Sequence, residues 1–140
     1  RAARESGQLS EPLYEGIDLL LDGLAARGWL LGVATGKSQR GLEHCLAAHG
    51  LSRRFVTLQT ADFHPSKPHP AMLEAALAEA GCDAANAVMI GDTEYDIAMA
   101  RAAGVRAVGV DWGYHTAREL FDAGAEAVAA NPPHLLELLP

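Results

Sequence analysis

Apolar residues recur along the chain in two alternating arrangements. In one they fall at helical spacing: Leu13, Ile17, Leu20, Leu21 and Leu24 share a face, as do Leu42, Cys45, Leu46 and His49, and then Leu73, Ala76, Leu77 and Ala80. In the other they run together, over 29–35, 55–60, 87–91, 105–110 and 125–129. A run that is apolar on successive residues suits a parallel strand covered by helices on both sides. Gly28, Gly50, Gly81, Gly104 and Gly124 each close a helical stretch, as expected where a helix ends at a residue of positive φ. The pattern predicts helix and strand in alternation through five strands, a doubly wound α/β domain. The glycine spacing varies from 20 to 31 residues, so these are βα units rather than copies of one repeat.

The ends of the chain are read differently. Ser10 to Pro12 opens the first helix, and Pro132-Pro133 opens a short last one. Residues 1–9 are polar and fit no element of the pattern, so they read as the tail of something preceding, with 10–140 forming one domain. A chain of 140 residues can bury a single core, and 49% apolar with 21% charged residues is a globular composition. A net charge of -7 argues against non-specific nucleic-acid binding, which needs a basic face. The apolar runs fall far short of the roughly 18 residues that span a bilayer, and the polar start has no signal-peptide core; no membrane association and a cytoplasmic location are expected. Cys45 and Cys82 lack the spacing of a zinc or redox motif and are expected to be reduced.

In such a sheet, ligands bind beyond the carboxyl ends of the strands. The residues there are Thr35-Gly36-Lys37, Thr60-Ala61-Asp62 with Lys67 shortly after, Gly91 to Asp96, and Asp111 to Tyr114. The segment Gly32-Val-Ala-Thr-Gly-Lys-Ser38 is one residue too short between its glycines for a nucleotide P-loop, and its apolar start belongs to a strand running up to Thr35. Taken together, these strand ends supply what one phosphate ester needs. Asp92 and Asp96 could hold Mg²⁺, Lys67 could neutralise the remaining charge, and the Thr35 hydroxyl with the Gly36 N–H could donate to phosphoryl oxygens. Each has a plainer reading. Thr93-x-x-Asp96 is also a capping box, Thr35 a strand-terminal β-branched residue, and Lys67 a solvated loop charge. Lys37 and Arg40 read as solvated charges of a first helical turn, and the six histidines show no ligand spacing.

The same residues resemble the motifs of the haloacid dehalogenase superfamily of phosphohydrolases, and within it the phosphoglycolate phosphatase-like branch. "VATGKS" resembles the second motif, with Thr35 as its phosphate-binding hydroxyl; "SKPHP" resembles the third, with Lys67 as its lysine. "GDTEYDIAMARAAGV" is similar to the fourth, with Asp92 as metal ligand and Asp96 as the second acid of the metal site, and "GVDWGYH" resembles a loop of the same branch. The resemblance implies a three-layer Rossmann-like core, Mg²⁺ as cofactor and a small phosphorylated metabolite as substrate.

It also implies a nucleophilic aspartate in a D-x-D motif at the end of a central first strand, and no D-x-D occurs among the 140 residues. The expectation is a core whose central strand and cap domain are missing from this chain, with residues 1–9 as the end of the cap. The sheet gap would be filled by an upstream segment or by self-association, and the chain alone would have no turnover. A sugar-phosphate mutase, a pyrophosphatase or a non-catalytic phosphate-ligand binding protein are the alternatives.

Overall fold

The structure, a computed structural model, describes residues 2–5, 17–112 and 115–139. Strands β1 (Ala2–Glu5), β2 (Leu31–Thr35), β3 (Thr57–Thr60), β4 (Val88–Gly91), β5 (Arg106–Val110) and β6 (Ala127–Ala129) alternate with helices. These are α1 (Ile17–Ala26), α2 (Gln39–Ala48), α3 (Ala71–Ala80), α4 (Glu94–Ala102), α5 (Ala117–Ala123) and α6 (Pro132–Leu138). All pairings are parallel, in the order β3-β2-β1-β4-β5-β6. The five punctuating glycines have φ between 67° and 113°, so each helix they close ends as the sequence predicts. The expected start of the first helix, Ser10 to Leu13, lies outside the described residues.

Successive strand residues feed two cores. Val33, Val88, Ile90, Val108 and Val110 pack with α1, α2 and α6, while Ala34, Met89 and Ala107 pack with α3, α4 and α5. This is the three-layer arrangement that contiguous apolar runs require, since each strand must cover both of its faces. Among the described residues, no helix is long and apolar enough to cross a membrane. Cys45 and Cys82 are free thiols.

The centre of the sheet corrects the sequence reading. Residues 1–9 were expected to be a tail beside an empty slot, yet Ala2–Glu5 fills that slot as β1 and pairs with both neighbours. Ala2 is in register with Leu31 on one side and with Val88 on the other. The physical reason is backbone pairing. Two adjacent interior strand edges left open would bury N–H and C=O groups without partners, and a strand supplies those partners whatever its side chains are.

Candidate functional site

The topology sets β2 and β4 on either side of β1, and strand order reverses at the β1/β4 boundary, where ligands of open α/β sheets bind. At this rim β2 delivers Thr35 and Gly36, the β3–α3 connection delivers Lys67, and the β4–α4 turn delivers Asp92 and Asp96. Lys67 Nζ donates to Asp96 Oδ1 at 2.6 Å, with the two side chains 13% and 1% exposed. Asp92 is buried and raises the affinity of the same amine for its proton. Lys67, Asp92 and Asp96 therefore converge.

Asp96 resolves a choice the sequence left open. Its Oδ2 accepts the Thr93 N–H at 3.2 Å while Thr93 Oγ1 accepts the Asp96 N–H at 3.2 Å, a complete capping box at the start of α4. Its other oxygen holds Lys67. Helix start and site acid are one group, with one oxygen for each duty. The fit depends on Gly91, because a Cβ there would lie 2.3 Å from the Asp96 Cβ.

Burial is the largest influence on Lys67 and pulls its pKa below the usual amine value of 10.5. The charge and hydrogen bond of Asp96, and then the charge of Asp92, oppose it without cancelling it. The unfolded chain binds more protons than the folded one between the lowered value and 10.5, so this group's contribution to stability rises with pH across that window. An anion bound beside the amine acts in the other direction and favours the charged form.

Thr35 is buried, and its Oγ1 accepts the Lys37 N–H at 3.1 Å. The hydroxyl proton is left to donate elsewhere. Gly36 is exposed, and a Cβ built on it would meet nothing within 4 Å. Lys37 precedes the Ser38 N-cap and is half-buried, a correction to its reading as a solvated first-turn residue; Arg40 is exposed in the first turn of α2 as expected. Asp62 belongs to scaffolding, since its Oδ2 accepts the Gln39 N–H at 2.8 Å at the start of α2. Asp111 is exposed, and Gly113 and Tyr114 lie outside the described residues. The sequence reading included His115 only as the last residue of the loop "GVDWGYH" and gave it no role, yet it hydrogen-bonds to the β4–α4 turn; its place in that strand-end loop was the available signal. A separate cleft of about 500 Å³, lined by Trp29, Cys82, Asp83 and Arg106 among others, opens beside the starts of β4 and β5 and contains none of the candidate residues.

A buried lysine held by one acid and flanked by another, at the strand ends of a parallel sheet covered by helices on both faces, defines the class: an α/β protein with a charged site at the carboxyl rim of its sheet. The comparisons give the family. The family model described as haloacid dehalogenase-like hydrolase matches residues 3–110, and the chain belongs to that family. It is 40% identical over 114 residues to the probable phosphatase IndB of Dickeya dadantii, covering 78% of this chain and 49% of that protein. It is 40% identical over 103 residues to a phosphoglycolate phosphatase of Rhodospirillum rubrum, covering 73% and 43%. The crystal structure of a predicted phosphatase from Clostridium acetobutylicum superposes with a TM-score of 0.84 at 28% identity, covering 90% of this chain and 59% of that one. The chain spans about half the length of the curated relatives it matches.

Proposed function

We propose that this chain is the phosphoryl- and metal-binding part of a Mg²⁺-dependent phosphatase acting on a small phosphomonoester such as phosphoglycolate. The observation that carries the reading is the buried Lys67–Asp96 pair beside Asp92, on the rim that also holds Thr35. A charge pair taken out of water costs desolvation, and a site that gathers a dianion gives that cost a purpose. The relatives' names, a probable phosphatase and a phosphoglycolate phosphatase, support the substrate class. Two free cysteines fit a reducing cytoplasm.

The donor set fits a hard divalent ion, which takes one or two carboxylates and completes its shell with water. Asp92 is the candidate direct ligand. Both Asp96 oxygens already have partners, so Asp96 supports the site by holding Lys67. When bound, Mg²⁺ would offset the negative charge of the phosphoryl oxygens. Thr35 donates its hydroxyl proton to one phosphoryl oxygen, the Gly36 N–H donates to another, and Lys67 sets a positive charge against the group. The open space above Gly36 leaves room for that approach. We place the attacking carboxylate outside this chain, because no D-x-D occurs in it; with β1 in the central slot, the segment that carries it must displace Ala2–Glu5 or approach the rim from beside the sheet. Attack forms a carboxylate O–P bond as the ester P–O bond breaks and a general acid, also placed outside this chain, protonates the departing alkoxide; water then cleaves the acyl phosphate, giving a proton back to that acid, releasing phosphate and restoring the carboxylate.

Isothermal titration with inorganic phosphate in the presence of Mg²⁺ tests the site. The 140-residue chain is expected to bind, Thr35→Val to weaken binding about tenfold, the loss of one hydrogen bond to a charged group, and Asp92→Asn to remove its Mg²⁺ dependence. The same chain is expected to release no phosphate from phosphoglycolate. Equal phosphate affinity in wild type and both variants would refute the reading, and Mg²⁺-dependent turnover by the chain alone would refute the outside nucleophile.

Repeating the titration across pH reads Lys67 directly. Phosphate affinity is expected to decline with a midpoint below 10.5, the direction set by burial of the amine. Lys67→Arg, whose guanidinium stays protonated, should carry binding to higher pH. A decline that is the same in both proteins would show that another group controls it.

A further inference from the structure

The start of α4 is secured by a residue from a different βα unit. A helix leaves its first N–H groups without partners inside the helix. At α4 the reciprocal bonds of Thr93 and Asp96 take up two of these donors, and neither reaches Glu94. The Glu94 N–H donates instead to His115 Nδ1 at 2.8 Å, and the His115 N–H donates to the Asp92 carbonyl at 3.2 Å. One residue thus grips the turn on both sides of Thr93, by main chain before it and by side chain after it. The grip is itself anchored. Thr116 and Glu119 form the capping box of α5 immediately after His115, α5 packs on α4, and the Tyr95 ring lies 6.1 Å from the imidazole at 57°.

Glu94, His115 and Glu119 also bring potential donor atoms within 4.8 Å of one another, a spacing that would admit a cation. The imidazole decides against that reading. A nitrogen that accepts an N–H bond carries no proton, so the proton of the neutral ring resides on Nε2. A protonated nitrogen has no lone pair for a metal, and the nearby Glu94 and Glu119 carboxylates are acceptors for an N–H.

We propose that His115 is a positioning residue for Asp92: it fixes the backbone of the β4–α4 turn and so aims the Asp92 carboxylate into the site. The functional consequence rests on Asp92 being a cation ligand; the clasp does not. Nothing in the sequence motifs assigns this role, because the contact joins residues 21 positions apart through a ring nitrogen.

The test is made on the intact protein with three readouts. Long-range ¹H–¹⁵N spectra are expected to show His115 as the Nε2–H tautomer. Amide exchange at Glu94 is expected to quicken about tenfold in His115→Ala, and Mg²⁺ affinity to weaken by a similar factor, the loss of about one hydrogen bond. His115→Asn, which offers an amide oxygen close to the position of Nδ1, should bring both back to within about threefold of wild type. Unchanged Glu94 exchange in His115→Ala, equal behaviour of the Ala and Asn variants, or an Nδ1–H tautomer would each overturn the clasp, whatever the metal does. A wild type that binds no Mg²⁺ would instead overturn the cation reading of Asp92, and with it the purpose assigned to His115.

Discussion

Replacing Lys67 by methionine is expected to lower folding stability by about 3 kcal/mol or more, the usual penalty for leaving one member of a buried ion pair alone, and to abolish phosphate binding. The methionine stem fills the space of the lysine stem, so the loss is electrostatic. What remains is a carboxylate that is 1% exposed, to which the Thr93 N–H still donates. The double variant Lys67→Met/Asp96→Asn separates the two consequences. Asparagine keeps an oxygen for the Thr93 N–H but carries no charge, so denaturant unfolding should show most of the stability restored, while calorimetry should show phosphate binding still absent. A single variant within about 0.5 kcal/mol of wild type, the range of ordinary surface substitutions, would mean that the pair is not buried as described.

Gly91→Ala is expected to be as damaging for a steric reason. The added Cβ would lie 2.3 Å from the Asp96 Cβ, 2.7 Å from its Oδ2 and 2.8 Å from its Cγ. Gly91 is not among the glycines with positive φ, so the backbone itself would accept alanine, and the nearest conflict is with Asp96. The neighbour is a fully buried side chain bonded at both oxygens and cannot swing aside cheaply. Either β4 or the start of α4 must move, and both movements pull Asp96 away from Lys67 or Thr93. Overpacking of this kind costs about 1–3 kcal/mol and occasionally more; the upper end is expected, with a displaced Asp96 in a crystal structure of the variant. A stability close to wild type would show that the strand and helix adjust freely here.

The sequence carried most of the fold because its two periodicities are backbone requirements written in side chains. The apolar runs over 29–35 and 105–110 became β2 and β5 within one or two residues. Each observed strand starts late, since pairing begins only after the chain has entered the sheet. β1 was illegible for the opposite reason: Ala2–Glu5 is held by main-chain hydrogen bonds to β2 and β4, and nothing in Ala-Ala-Arg-Glu signals an interior strand. At the site, Lys67, Asp92 and Asp96 could be gathered from their strand-end positions, because loops that leave the same edge of a parallel sheet meet there; Thr35 ends β2 on that edge. How Asp96 divides its oxygens could not be read, nor could the engagement of Asp62 in capping α2. Spacing announces a cap, whereas a tertiary partner appears only when two units pack. His115 is the extreme case, a residue without motif spacing whose ring nitrogen completes a helix that begins in another unit.

The outer strands of the sheet carry a further consequence. β3 and β6 have four and three residues, so the unsatisfied ladders facing outward are brief, and short borders give another chain little on which to stack. Like-charge repulsion from a net charge of -7 acts in the same sense. Concentrated solutions of the folded chain should therefore resist fibrillar, sheet-extending aggregation.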